Sequence, residues 1–411
     1  MLEKSPLAPK RFPRIPAVAG LELVGRHVGL KPAKGGKDLL VARLAHGTTV
    51  AGVFTKSRCP SAPVDWCRNI LSHGKARAVV VNSGNANAFT GLAGDTVVAE
   101  TVKVAAKLIG CPKDQVYVAS TGVIGEPVPP NYIASKLPGI VPGLKAGSWR
   151  QAAEAIMTTD TFPKAAMRTA KIGNSEVTLA GFTKGSGMIA PDMATMLGFV
   201  FTDAKIPARV LQSILKAGAD KSYNCITVDS DTSTSDTVLF FATGKGKRHP
   251  AVISARDKHF REFRRALEDL LTDLATQVVR DGEGAQKLVT IDVSGAVSKS
   301  SARKIGLTVA NSPLVKTAIA GEDANWGRIV MAVGKTGEPA DRDKLSISMG
   351  GVPITEQGIV REDYIEGPIA EHMKGQNIKI AIDIGLGRGQ ARVWTCDLTH
   401  GYVTINADYR S

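Results

Sequence analysis

The strongest constraint on the fold lies at residues 78–88. There an unbroken apolar run, Ala78-Val79-Val80-Val81, gives way at once to Asn82-Ser83-Gly84-Asn85-Ala86-Asn87-Ala88. A continuous β-branched run suits a strand covered on both faces, because a half-exposed strand would alternate apolar and polar residues. The cluster of small polar residues after it reads as a turn or loop. Residues 95–109 then carry Val98, Val102, Ala105 and Ile109 at helical spacing, and Gly110 stops that helix. A buried strand, a loop and an amphipathic helix in succession are the building unit of an α/β protein whose sheets are walled by helices.

The alternation recurs along the chain. Leu39–Leu44, Thr49–Phe54 and 238–242 read as strands, and 206–218 as an amphipathic helix. The longest helix is expected at 257–279, with Phe260, Phe263, Leu267, Leu270, Leu271, Leu274 and Val278 on one face. Asp281-Gly282-Glu283-Gly284 ends it. Pro127, Pro129 and Pro130 mark a loop, and residues 1–20 read as an irregular, basic leader without the apolar stretch of a secretory signal. Beyond 286, short strands at 289–293 and 378–384 alternate with short helices. The expectation is an α/β protein of two lobes. Residues 1–285 would form a layered sheet-and-helix core, and residues 286–411 a smaller mixed α/β lobe.

Several function classes fall away on composition. No apolar run reaches the roughly 18 residues of a membrane span. The five cysteines, Cys59, Cys67, Cys111, Cys225 and Cys396, are scattered and form no CxxC pair. That argues against a disulfide framework or a zinc site and fits a reducing cytoplasm. The net charge of +14 is dispersed rather than interleaved with aromatics, so no nucleic-acid partner is expected. It reads first as a solvated surface tolerant of positive charge, and second as a field that would attract anionic substrates.

Two look-alike motifs also fail. Gly385-Leu386-Gly387-Arg388-Gly389 lacks the third glycine of a dinucleotide fingerprint and precedes a strand-like run, so a β-hairpin turn is the better reading. Asp229-Ser230-Asp231-Thr232-Ser233-Thr234-Ser235-Asp236 begins like a calcium loop, but Phe240 stands where the bidentate glutamate is required. No HExxH or GxSxG motif supports a metallopeptidase or serine hydrolase.

The informative stretch is Lys184-Gly185-Ser186-Gly187-Met188-Ile189-Ala190-Pro191-Asp192-Met193-Ala194-Thr195, which leads into the apolar run Met196-Leu197-Gly198-Phe199-Val200. It resembles the self-cleavage site of the ornithine acetyltransferases, also called bifunctional glutamate N-acetyltransferases. Ser120-Thr121-Gly122-Val123-Ile124-Gly125 resembles that family's oxyanion loop, and Met157-Thr158-Thr159-Asp160-Thr161 its substrate-contact loop. Asn224 to Ser233, Asp281 to Gly284, Gly321 to Arg328 and the terminal Tyr402 to Ser411 are similar to further signatures. The matches run in order from about residue 50 to the end. Two positions depart from the pattern: Cys225 stands where arginine is common, and Ser411 where threonine is common.

The resemblance implies an arginine-pathway enzyme with N-terminal-nucleophile-like chemistry, cut between Ala194 and Thr195. Fragments 1–194 and 195–411 would stay together, as a heterotetramer of two of each. A threonine hydroxyl is a weak nucleophile and needs a base. Cleavage would give Thr195 a free α-amine, with an ordinary pKa of about 7.7–8.0, on the same residue as the hydroxyl. Thr195 would take the acetyl group of N-acetylornithine and pass it to glutamate, with acetyl-CoA open as a second donor and no metal or other cofactor. Thr121 and the Gly122 N–H would stabilise the oxyanion. Lys184 would meet the α-carboxylate and Glu283 the ornithine side-chain ammonium, while Thr158, Asn406 and Ser411 would complete the pocket. The rival reading within this chemistry is a self-processing amidohydrolase or aminopeptidase, in which water takes the acyl group.

Overall fold

The computed structural model describes residues 3–32, 36–190 and 196–408. Among these, fifteen strands, numbered along the chain, form three sheets. The first sheet has the order β1 (Leu21–Arg26), β2 (Leu39–Leu44), β4 (Ala78–Asn85), β5 (Val116–Val123), with β4 and β5 parallel. The second runs β3 (Thr49–Phe54), β9 (Thr237–Ala242), β8 (Leu197–Thr202), β7 (Ser175–Lys184), β6 (Lys164–Ile172), with β8 and β9 parallel. These two sheets stack face to face. Between them lie Tyr117, Trp149, Phe182, Phe199, Phe201 and Phe241, with the Phe201 and Phe241 rings 5.3 Å apart.

Every residue of β8 and β9 is buried, and the alternation explains why. Leu197, Phe199 and Phe201 face the inter-sheet core. Val200, Val238 and Phe240 face a second core, closed by helices Ala208–Ala219 and Arg261–Arg280. Helices Ala62–Ile70 and Gly91–Ile109 cover the outer face of the first sheet. The result is four layers, helix–sheet–sheet–helix, in agreement with the layered α/β expectation. The helix expected at 257–279 is entered through a short tight turn and spans Arg261–Arg280, with Phe263, Leu267, Leu270, Leu271, Leu274 and Val278 all buried on one side.

A third sheet follows in the order β13 (Ile359–Val360), β12 (Val352–Glu356), β11 (Ser346–Met349), β14 (Asn377–Asp383), β10 (Leu288–Ala296), β15 (Gly389–Cys396). It has its own core, built with helices such as Lys299–Ala310 and Trp326–Gly334. No helix among the described residues is long and apolar enough to cross a membrane.

Two local expectations are corrected. The polar cluster after Val81 is not all loop, because β4 continues to Asn85. Its polar side chains are acceptable inside the protein because they pair: Asn82 Oδ1 accepts from Ser120 Oγ at 2.5 Å, and Asn82 Nδ2 donates to the Asn85 carbonyl at 2.8 Å. The glycine run at 385–389 is not a hairpin turn either. β14 and β15 do not pair, since β10 lies between them, parallel to one and antiparallel to the other.

Candidate active site

Lys184 is the last residue of β7 and pairs with Leu197, the first of β8, so residues 185–196 form the connection of one antiparallel pair. The connection therefore leaves from, and returns to, one end of the second sheet. Ala194 and Thr195 themselves lie outside the described residues, as does Ser411. Both flanks of the segment are held.

On the upstream side Met188 takes a φ of +56°, and its N–H and that of Ile189 donate to the two oxygens of Asp229 at 2.7 and 2.8 Å. The Ile189 carbonyl accepts from Val228 N at 2.7 Å and from Thr227 Oγ1 at 3.0 Å, and the Ala190 carbonyl from Thr232 Oγ1 at 2.9 Å. Downstream, the Met196 carbonyl accepts from Thr237 N at 3.0 Å. A peptide gripped on both sides can be held in an unusual geometry, which self-cleavage by a neighbouring hydroxyl requires.

The end of the first sheet closes over this point. β4 and β5 run parallel with Thr121 opposite Ser83 and Gly122 opposite Gly84. Gly122 has a φ of +131°, and a side chain there would run into the Gly84–Asn85 backbone, so the position admits only glycine. The two sheet ends, the turn after helix Arg261–Arg280 and the C-terminal helix His400–Asp408 enclose one cleft of about 770 Å³, its open mouth included. Thr121, Gly122, Thr158, Lys184, Glu283 and Asn406 all line it. Chain positions spread over nearly three hundred residues thus share one cavity.

Three of these contacts are direct. Lys184 Nζ donates to Thr158 Oγ1 at 3.2 Å, Asn406 Nδ2 donates to Glu283 Oε2 at 2.7 Å, and Glu283 N donates to the Ser186 carbonyl at 3.0 Å. Gly187 lies against the Glu283 carboxylate so closely that a Cβ would come within 2.5 Å of it. Burial pushes the Lys184 ammonium below the ordinary lysine value, opposed by the carboxylates of Asp160, Asp236 and Glu283. The cleft thus presents a cation at one wall and a carboxylate at another, which suits an amino acid carrying a carboxylate and a side-chain ammonium.

Behind the cleft sits a charge cluster that the sequence did not reveal. Lys164 is fully buried, with Asp160 Oδ1 at 2.6 Å and Asp281 Oδ2 at 2.5 Å. Asp160 also accepts from Thr158 N at 2.9 Å and Gly185 N at 2.7 Å, and Asp281 accepts from Thr161 N at 2.9 Å. Burial alone would lower the Lys164 value, but the two carboxylates hold it raised. The cluster ties the Thr158 loop, the residue after Lys184 and the turn carrying Glu283 into one frame. Lys164→Met would leave two buried carboxylates uncompensated, and a loss of about 3–5 kcal/mol of unfolding free energy is expected; chemical denaturation of the variant beside the parent chain measures it. Asp160 and Asp281 stood within the sequence signatures, but nothing in sequence joined them to Lys164, which lies 117 residues from Asp281.

No group of three or more histidine, cysteine, aspartate or glutamate side chains suited to a metal ion occurs among the described residues. All five cysteines are unpaired.

The family model described as ArgJ matches residues 22–411. The chain is 56% identical over 409 residues to the arginine biosynthesis bifunctional protein ArgJ of Bradyrhizobium diazoefficiens, covering 99% of each chain. It is 56% identical over 410 residues to the protein of the same name from Gluconobacter oxydans, covering 100% of this chain and 96% of that one. The solved structure of the arginine biosynthesis bifunctional protein of Bacillus halodurans superposes with a TM-score of 0.50 and 38% identity, over 52% of this chain and 100% of that one.

Proposed function

The chain belongs to the ArgJ family, and from that membership we propose that it moves an acetyl group from N-acetylornithine to glutamate through an acetyl-Thr195 intermediate. One observation carries the reading. Thr121, Gly122, Thr158, Lys184, Glu283 and Asn406 line a single cleft at the end of the β7–β8 connection that bears the Ala194–Thr195 bond.

Self-cleavage frees the α-amine of Thr195, and that amine takes the hydroxyl proton as Oγ attacks the acetyl carbonyl. Thr121 and the Gly122 N–H meet the oxyanion. Lys184 binds the α-carboxylate of either substrate, with the Thr158 hydroxyl beside it. Glu283, fixed by Asn406, binds the ornithine side-chain ammonium, and Ser411 joins the same pocket. Ornithine leaves with the proton, and glutamate then takes the acetyl group.

The route calls on no metal or cofactor. The relatives' description as bifunctional supports acetyl-CoA as a second acetyl donor to glutamate. We further place the enzyme in the cytoplasm, with its unpaired cysteines as support, and assign it an assembly of two 1–194 and two 195–411 fragments.

Steady-state kinetics test the covalent route. N-acetylornithine against glutamate should give parallel double-reciprocal lines. With glutamate withheld, the fragment beginning at Thr195 should gain one acetyl group, seen by rapid-quench mass spectrometry. Adding glutamate should discharge it as N-acetylglutamate, whereas a hydrolase would yield free acetate. Lys184→Met should weaken both halves of the reaction, because both substrates present an α-carboxylate. Glu283→Gln should chiefly harm the ornithine half, since glutamate has no side-chain ammonium. Each lost charge-assisted contact is worth roughly 1.5–3 kcal/mol, or about ten- to a hundredfold in kcat/KM. Intersecting lines without a trapped acetyl-fragment would overturn the covalent route.

A further inference from the structure

One ammonium beside the cleft has no part in the reaction as derived. Lys31 Nζ donates to the Met157 carbonyl at 2.6 Å and to the Lys37 carbonyl at 2.9 Å. Met157 is bonded to Thr158, whose hydroxyl meets Lys184 at 3.2 Å. Lys31 therefore holds the loop that carries the partner of the carboxylate-binding lysine.

Asp38 fixes the place from which Lys31 reaches. Its carboxylate is fully buried and accepts from four successive backbone N–H groups: Val28 at 2.6 Å, Gly29 at 3.1 Å, Leu30 at 2.9 Å and Lys31 at 3.1 Å. Successive N–H groups turned onto one anion make a rigid, concave segment. The Asp38 carbonyl in turn accepts from Ser83 N at 2.9 Å, which ties the segment to β4. The segment also lies against Gly84. That residue has a φ of +103°, and a side chain there would meet the Leu30 carbonyl at 2.7 Å and Lys31 Cγ at 3.0 Å. Gly84 stands opposite Gly122 in the β4–β5 pair. Residues 28–31 thus touch two walls of the cleft at once. One is the strand pair that aims the Gly122 N–H, and the other is the loop that carries Thr158.

We propose that Lys31, braced by Asp38, is a positioning residue for acetyl transfer: it sets the spacing between the oxyanion donors at Thr121 and Gly122 and the carboxylate anchor at Lys184 and Thr158. This rests on the acetyl-transfer reading of the cleft. A substrate whose α-carboxylate sits on Lys184 delivers its acetyl carbonyl to the oxyanion donors only if the two walls keep one separation. A misplacement of about 1 Å, caused far from the chemistry, can cost about a hundredfold in rate.

The charges around Lys31 make this tie depend on protonation. Burial pushes its amine down to about 8, opposed by the carboxylates of Asp160 and Asp38, while Lys184 adds to the depression. Lys164 lies beyond Asp160, and Lys37 pairs with Glu154 of helix Trp149–Ala155 at 2.6 Å. The ammonium form makes the stronger bond to the Met157 carbonyl.

The test compares two acetyl donors on the full chain. N-acetylornithine carries the α-carboxylate that Lys184 binds. p-Nitrophenyl acetate has none and calls only on the nucleophile and the oxyanion donors. With either, Thr195 Oγ adds to the acetyl carbonyl and the bond to the leaving group breaks, releasing ornithine or p-nitrophenolate. Lys31→Met should be cut normally, by intact mass. Its kcat with N-acetylornithine should fall about 10- to 100-fold with KM little changed, while the p-nitrophenolate burst stays within about twofold of wild type. Equal losses with both donors would overturn the proposal, because a general disturbance of the fold acts on both. So would no loss with either, or a folded variant that stays uncut.

Lys31→Arg supplies a second reading, since arginine keeps its charge at high pH. The ratio of the two rates, N-acetylornithine over p-nitrophenyl acetate, should fall in the wild type as pH rises through about 8 and hold in Lys31→Arg. Lys184 is present in both chains, so its own titration cancels. Coincident profiles would overturn the proposal. Loss of fold in both variants, by circular dichroism, would overturn it as well, because Lys31 would then serve the fold and not the spacing. Failure of the underlying reading is separate: wild-type protein would then show no fragment beginning at Thr195 that gains an acetyl group from either donor.

Discussion

Thr195→Ala is expected to leave the chain in one piece and to remove acetyl transfer. The wild-type protein should resolve on intact mass spectrometry into fragments 1–194 and 195–411, and the variant into a single chain of 411 residues. One side chain performs both acts in this mechanism, as nucleophile toward the Ala194 carbonyl and later toward the acetyl group. Losing a catalytic nucleophile of this kind lowers turnover by on the order of 10⁴-fold or more. The variant should keep its fold. The core beside it is built from Phe182, Phe199, Phe201 and Phe241, and the flanks at Met188 and Met196 are anchored through Asp229 and Thr237. Wild-type protein that is fully active and uncut would return Thr195 to the role of an ordinary residue at a strand entrance.

The next largest effect is expected at the oxyanion loop. Removing one pre-aimed donor costs turnover about 100- to 1,000-fold. Thr121→Ala should produce a loss of that size in kcat with little change in KM, because the donor acts on charge that exists only in the transition state. The position favours a clean measurement. Thr121 is 6% exposed, and its strand is held by Ser120 to Asn82 and by pairing with β4, neither of which needs the threonine hydroxyl. A variant with wild-type kcat would exclude the hydroxyl and leave the Gly122 N–H as the donor. Substituting Gly122 is a different experiment, since any side chain there collides with the Gly84 backbone and shifts the loop.

Local structure was legible where the chain signals it over a few residues. The run at 78–81 announced a doubly covered strand, and the spacing of Phe263, Leu267, Leu270 and Leu274 announced the longest helix. Legibility failed where an element's extent depends on its partner. β4 runs on through Asn82 to Asn85 because β5 supplies Ser120 to satisfy it. The 385–389 turn looked like a hairpin because adjacent strands usually pair, yet β10, nearly ninety residues earlier, occupies the place between them. Asp236 entered the sequence reading only as the tail of a discarded calcium-loop pattern. Its place in the cleft beside Lys184 has no sequence signal.

By itself, then, the sequence determined the chemistry that one residue can hold: a threonine after Ala194 whose hydroxyl and future amine share a Cα, within signatures that identify the family. It also determined the α/β class, because hydrophobic period and turn residues act over one or two turns of chain. Only the tertiary structure decided which charges face one another. Lys164 meets Asp160 and Asp281, Glu283 meets Asn406, and Asp236 is brought beside Met196. Such contacts are set by sheet order and by burial across more than a hundred residues. A buried charge must find its partner wherever the packed layers bring one near, and no local spacing encodes that.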